Sequence, residues 1–249
     1  MKKTIIANWK MDPTSAREAR QLFAQIKNKV RKLRGVETVI APPFVYLPLF
    51  RPTSHFKLGA QDVSFASEGA WTGEISAKML LDLKVSYVLV GHSERRELGE
   101  THNSVHQKLA AALSKGLRAV LCVGEKERSR EAFPALVREE VKSALKCVPR
   151  RFAARALIAY EPVWAISSHS GGRADTSQNF FEMSIFIRRL VLDIWGKSAA
   201  LKLPILYGGS VNSKNAAGFL GVKSSGGLLV GQASLNPGEF SKILEAASR

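Results

Sequence analysis

Cysteine is nearly absent from this chain. Cys122 and Cys147 are the only two in 249 residues, too few for a disulfide scaffold and at a separation that fits no zinc site. Both are expected to be reduced thiols. Long hydrophobic runs are missing as well. No segment approaches the ~20 apolar residues of a membrane helix, so no membrane partner is expected. Residues 1–7 carry two lysines and a short apolar run. They lack the long apolar core and small-residue cleavage site of a secretion signal, which points to the cytoplasm. No HExxH pattern occurs among the five histidines. His102 and His106 stand four apart, and with no carboxylate in the metalloprotease register they read as an exposed helix face.

Acidic residues are scarce. There are 21 of them against 37 lysines and arginines, a net charge of +16. Such a balance suits polyanions or small anionic substrates. The basic excess lies in Lys27 to Arg34, Lys126 to Arg130 and Pro149 to Arg155. Aromatic residues are not interleaved with these runs, which argues against a base-stacking platform for nucleic acid. Solvated helix faces account for them, and a field that draws in phosphorylated substrates would follow.

What the chain does have is a recurring short apolar run rich in Val, Ile and Leu. Strands are expected at Thr4 to Asn8, Thr38 to Ala41, Lys57 to Gln61, Tyr87 to Val90, Ala119 to Val123, Ala156 to Tyr160, Ile205 to Tyr207 and Gly227 to Val230. The runs are continuous rather than alternating, as in parallel strands covered on both faces. Helical stripes fill the gaps: Leu22, Ile26, Val30 and Leu33 form one, and Phe180, Met183, Ile187, Leu190, Val191 and Ile194 another. Asp175 or Thr176 is positioned to cap the second, with Gln178 in its first turn. Asn212 reads as a cap after the seventh strand, and Glu239, Ile243 and Ala246 as a final helix. No Pro/Ser-rich linker divides the chain. Eight strand–helix units over residues 1–249 predict one (β/α)8 barrel. A doubly wound open sheet is the alternative, but Asn8-Trp9-Lys10-Met11 stands where its GxGxxG turn would be.

In a barrel the active face is built where the strands end. Asn8 and Lys10 follow the first strand, and the lysine is placed either to neutralise a substrate anion or to cap a neighbouring helix. Gly91-His92-Ser93-Glu94-Arg95-Arg96 follows the fourth. There His92 would open a short helix, whose positive end favours a neutral, hydrogen-bond-donating imidazole. The competing reading is a satisfied core histidine. Glu94 is in place to brace Lys10 or the basic residues beside it. Glu161 ends the sixth apolar run, where a carboxylate is costly unless it has a task. It is either a general base or a strand-end glutamate held by a lysine. Pro162-Val163-Trp164 then has the composition of a rigid hinge, ahead of a small, polar, glycine-bearing loop suited to a lid. Tyr207-Gly208-Gly209-Ser210-Val211-Asn212 and Val230-Gly231-Gln232-Ala233-Ser234 follow the last two strands. Turns there can present N–H groups to a phosphate. Together these pieces predict removal of a proton next to a carbonyl by a carboxylate, with a neutral histidine and a lysine stabilising the enediolate.

These segments, in this order, resemble the triosephosphate isomerase family. Further matches are Gly59-Ala60-Gln61-Asp62, Trp71-Thr72-Gly73-Glu74, Cys122-Val123-Gly124-Glu125 and Ala159-Tyr160-Glu161-Pro162-Val163-Trp164-Ala165-Ile166. The resemblance covers almost the whole chain. It implies a TIM barrel that interconverts dihydroxyacetone phosphate and D-glyceraldehyde 3-phosphate in glycolysis and gluconeogenesis, without a cofactor or a metal. It implies Glu161 as base, His92 as electrophile, Asn8 and Lys10 as the substrate-binding pair, and Ser167, Ser210, Gly231 and Gln232 at the phosphate. It also implies a packing role for Cys122, and a homodimer through the loop around Trp71 to Glu74, with Thr72 steadying the neighbour's Asn8 and Lys10. The chain departs from the family pattern in several places. The lid tip reads Ser167-Ser168-His169-Ser170-Gly171-Gly172-Arg173 where Gly-Thr-Gly-Lys is usual, Gln232 replaces a glycine, and Arg95 to Glu100 is one residue short. The high positive charge is also unusual. It is the one feature that would suit a rival reading, a barrel of this kind recruited as a nucleic-acid-binding or scaffold protein.

Overall fold

A computed structural model describes residues 2–31, 33–127, 133–165 and 175–248. Eight strands are all parallel and close into a barrel in sequence order. They are β1 Lys3–Asn8, β2 Val36–Ala41, β3 Phe56–Ala60, β4 Val85–Val90, β5 Arg118–Val123, β6 Ala156–Tyr160, β7 Ile205–Tyr207 and β8 Ser225–Val230. Each expected strand is present, and most begin one or two residues earlier than their apolar runs. The helices are α1 Ala16–Val30, α2 Ala77–Asp82, α3 Ser93–Glu97, α4 His102–Lys115, α5 Ala135–Leu145, α6 Ser177–Trp195, α7 Lys197–Lys202, α8 Ala216–Gly221 and α9 Pro237–Ala247. Short 3₁₀ turns lie at Phe44–Leu49, Arg150–Arg155, Val163–Ala165 and Gln232–Leu235. Closure excludes the open-sheet alternative.

The continuous apolar runs are explained by two cores. Ile6, Val39, Leu89, Val120, Leu157, Leu206 and Leu229 point into the barrel, where they pack with Tyr87, Cys122 and Ala159. Their neighbours in sequence, such as Ile5, Ile40, Val88, Leu121, Ile158, Ile205 and Leu228, pack outward against the helices. Successive strand residues point to opposite faces, and the inward parity runs on past the strand ends. In β6 it runs Leu157, Ala159, then Glu161; in β1 it runs Ile6, then Asn8. The two polar side chains are therefore placed at the barrel mouth by register.

Helix boundaries follow local chemistry. Thr176 caps α6 by accepting the Asn179 N–H at 3.1 Å, while Asp175 accepts from the Thr176 N–H and the Asn179 side chain. Asn236 caps α9, with Pro237 in its first turn. Asn212 does not cap a helix. Its Oδ1 accepts from the Lys214 and Asn215 N–H groups, closing a turn just before α8, and the cap position falls to Asn215. A short polar side chain serves a local turn as readily as a helix start.

The seam that closes the barrel joins β8 to β1, with Thr4 opposite Gly227. Gly227 has φ +142°, and a Cβ there would lie 1.8 Å from the Thr4 carbonyl oxygen. Only glycine fits. Gly227→Ala is expected to destabilise the fold by about 3 kcal/mol or more, read as a lowered urea midpoint; an unchanged midpoint would show that the seam does not constrain the barrel.

Candidate active site

The C-terminal ends of the strands surround a cavity of about 630 Å³. Asn8, Lys10, His92, Glu161, Ser210, Gly231 and Gln232 all line it, along with Glu94 and Gly208. The structure thus brings together every described residue that the sequence nominated. Ser167, and with it the lid tip Ser167 to Arg173, lies outside the described residues.

Glu161 is 2% exposed. One carboxylate oxygen, Oε2, accepts the Ser93 N–H at 3.4 Å. The other, Oε1, is buried without a hydrogen-bond partner among the described residues and lies 3.5 Å from His92 Nε2. A buried acceptor left open at a cavity wall is costly unless a ligand completes it. Space for this carboxylate is made by glycines. A Cβ at Gly208 would lie 2.7 Å from Glu161 Cγ, and one at Gly124 would lie 1.8 Å from the Glu161 carbonyl oxygen. From below, the Cys122 thiol touches the Glu161 side chain. Burial, and then the Glu161 charge, push that thiol well above its ordinary range, so it stays protonated and packs, as expected.

His92 is buried and sits at the N-cap of α3, where its Nδ1 accepts the Glu94 N–H at 3.2 Å. An accepting Nδ1 leaves the ring proton on Nε2, the nitrogen that faces Glu161. The tautomer is therefore set by the backbone of the short helix.

Lys10 adopts φ +53°, a left-handed conformation uncommon for a residue with a Cβ. Two contacts hold it there. Its N–H donates to Asn8 Oδ1 at 3.1 Å, and its carbonyl accepts from the Gln61 amide at 2.8 Å. The ammonium pairs with Glu94 and stands at the cavity wall. Asn8 thus acts first on Lys10. Gln61 was not singled out in the sequence as a positioning residue; its place in a matched motif was the only signal.

At the last two strands the turns differ from expectation. The Gly208 and Ser210 N–H groups are taken by the Tyr160 and Ala165 carbonyls, at 2.8 and 3.3 Å. That turn also carries the Ser210 hydroxyl, which is buried and has no hydrogen-bond partner among the described residues. Gln232 opens the 3₁₀ turn Gln232–Leu235 without a positive φ. The loss of glycine is tolerated because no left-handed residue is needed there. The first N–H groups of that turn have no partner within it and adjoin the cavity, opposite Lys10.

The hinge after Glu161 is fastened to the floor. Glu125 Oε1 accepts from Tyr160 Oη at 2.8 Å and from Trp164 Nε1 at 2.7 Å. The Tyr160 phenol is pushed upward by burial and by the Glu125 charge. His102 and His106 do not form an exposed face. Half-buried, they turn to α5, His106 bonding the Ala144 carbonyl at 3.0 Å and His102 the Ser143 hydroxyl at 3.3 Å. Among the described residues no group of His, Cys, Asp and Glu is arranged to hold a metal, and no helix is long and apolar enough to cross a membrane.

Comparison with known proteins agrees with this geometry. A family model described as triosephosphate isomerase matches residues 3–247. Relatives named triosephosphate isomerase include those of Natranaerobius thermophilus, 40% identical over 100% of this chain and 98% of the relative, and Aquifex aeolicus, 41% identical over 98% and 99%. A third, from Citrifermentans bemidjiense, is 41% identical over 98% of both chains.

The site predicts a trade between stability and binding at Lys10. Lys10→Gly relieves the left-handed strain and is expected to leave the melting temperature unchanged or raise it, by up to about 1 kcal/mol of stability. Removing the ammonium should weaken inorganic phosphate binding about tenfold or more, measured by calorimetry. Unaltered phosphate affinity would show that the Lys10 ammonium does not attract an anion into the cavity.

Proposed function

The chain belongs to the triosephosphate isomerase family, and on that premise we propose how its own residues interconvert dihydroxyacetone phosphate and D-glyceraldehyde 3-phosphate, the isomerisation shared by glycolysis and gluconeogenesis. The observation that carries the reading is the open Oε1 of buried Glu161, 3.5 Å from the His92 Nε2 that bears the ring proton. That spacing is too long for a good hydrogen bond and leaves both groups free to act on one substrate bound in the cavity.

Glu161 takes the proton from the carbon next to the carbonyl. His92 Nε2–H donates to the carbonyl oxygen as charge develops there, and the Lys10 ammonium stabilises the same enediolate. The hydroxyl proton passes to the former carbonyl oxygen by way of His92, which ends neutral as it began, and return of the carbon proton to the neighbouring carbon completes the isomerisation with no net redox change and no cofactor. The substrate phosphate is held by the Ser210 hydroxyl and by the turn at Gly231 and Gln232, with Ser167 as a further contact from the lid. Asn8 keeps Lys10 in register. Glu94 holds the ammonium when no substrate is bound.

A homodimer fits the same surface. Trp71 packs edge-on against Phe65 after β3 at 4.9 Å, yet both remain partly exposed, and Met11, Val45 and Leu98 are exposed on the segments after β1, β2 and β4. Apolar side chains grouped this way support burial by a second copy, with Thr72 of the loop reaching the neighbour's Asn8 and Lys10. The free thiols, Cys122 buried and Cys147 exposed, support a reducing compartment and a cytoplasmic enzyme.

In a coupled assay the wild type should turn over both triose phosphates, and Glu161→Gln should lower kcat by at least about 100- to 10,000-fold; inactivity of the wild type on both would refute the proposal. Sedimentation at micromolar concentration should give a dimer, and Trp71→Arg a less active monomer. A fully active wild-type monomer would reject the loop-exchange reading.

A further inference from the structure

A second acid lies buried behind the first. Glu140, on α5, is 3% exposed and belongs to none of the segments that carry the family resemblance. Its Oε1 lies 3.3 Å from the Arg96 guanidinium, and its Oε2 accepts the Gly124 N–H at 2.9 Å. Both partners lead to the reacting groups. Arg96 donates to the carbonyl of Gly91, the residue before His92, at 2.8 Å, and to the carbonyl of Cys122 at 3.3 Å. Gly124 packs directly against the backbone of Glu161, whose N–H donates to the Val123 carbonyl at 2.8 Å. Through these bonds one side chain on the outer layer joins the ends of β4, β5 and β6. Glu140 and Glu161 also share the walls of a small cavity of about 30 Å³, room for a single water.

We propose that Glu140 is a positioning residue for the isomerisation, holding Arg96 and Gly124 so that His92 and Glu161 keep their spacing and the Arg96 charge beside the base is balanced. The inference rests on the assignment of Glu161 as the base. The groups facing Glu140 come from three strand ends: Arg96 and Glu97 from α3 after β4, Cys122 from β5, Glu125 and Lys126 after it, and Glu161 after β6. Burial pushes the Glu140 carboxyl up to about 7. The charges of Glu161 and Glu125 push the same way, while Arg96 and the Gly124 N–H oppose them. Near neutrality, then, Glu140 passes from a neutral acid with one good acceptor to a carboxylate with two. Only the carboxylate can serve Arg96 and Gly124 together. A glutamine imitates the neutral acid.

The test is the pH dependence of kcat for wild type and Glu140→Gln between about pH 5.5 and 9, with KM followed separately. The wild type should gain activity through an inflection near pH 7. The variant should lack that inflection, with kcat at pH 8 lower by about tenfold and KM within about twofold. The ionisation of the substrate phosphate, near 6, is common to both enzymes. A variant with the wild-type profile and kcat overturns the proposal, as does an equal loss in kcat and rise in KM at every pH, which marks a merely structural role. Should Glu140→Gln not fold, Glu140→Asp takes its place. It should keep the inflection and lose kcat without a change in KM, and full kcat in it overturns the proposal. An inactive wild type is a different result, because it removes the reaction itself.

Discussion

Burying one carboxylate at the mouth of a closed barrel is the constraint on which the rest of the site depends. An ion taken out of water must be compensated by hydrogen bonds, opposite charge or work on a ligand. Glu161 receives one backbone N–H, from Ser93 at 3.4 Å, and a contact from the Cys122 thiol. Its second oxygen is left open. Around that residue the neighbouring strand ends carry glycine at 124 and 208, where any side chain would collide with the Glu161 backbone and side chain respectively. The α3 helix is placed so that its first turn serves both reacting groups, with Ser93 donating to Glu161 and Glu94 orienting His92. Strain at Lys10 belongs to the same economy: an ordered ammonium at the cavity wall is kept in a conformation the residue would not choose alone.

The charge distribution has two layers with opposite roles. Acidic side chains are scarce overall, yet Glu94, Glu125, Glu140 and Glu161 gather at the strand ends, three of them buried. Beside them Lys108 bridges Asp62 and Glu100, with Arg95 3.1 Å from Asp62, which ties α4, α3 and the segment after β3 into one network. Lysines and arginines outnumber acids elsewhere and leave the surplus of +16. A positive exterior raises the local concentration of a dianionic substrate, while the acid-rich floor keeps the lysine and arginines of the site in place. The surplus needs no nucleic-acid partner to explain it.

Register made most of this legible from the sequence. Strands buried on both faces have to be continuous apolar runs, so all eight could be found. Polar residues just past them had to lie at the mouth, which yielded Asn8, Lys10, His92, Glu161, Ser210 and the turn at Gly231 and Gln232. What escaped depends on contacts between distant positions. Gly208 read as a turn glycine and Gly124 only as part of a matched segment, because nothing local says that Glu161 will occupy the space beside them. Glu140 drew no reading at all, since Arg96 and Gly124 come to it from other strand ends. Gln61 became a clamp for Lys10 only when β3 lay near β1. Asn212 was misread for the opposite reason, since a cap and a turn use the same local hydrogen bond. The histidines of α4 were misread because the packing of α5 against them has no trace in their own spacing.

The central claim is that a single carboxylate, on one face of a planar enediolate, moves the proton. It is tested most directly by running the isomerisation of D-glyceraldehyde 3-phosphate in deuterium oxide and locating the label in dihydroxyacetone phosphate by nuclear magnetic resonance. The account predicts that the product keeps the substrate's own proton or carries deuterium, and that the deuterium stands in only one of the two prochiral positions of the carbon that was the aldehyde. Label divided between both positions would contradict it.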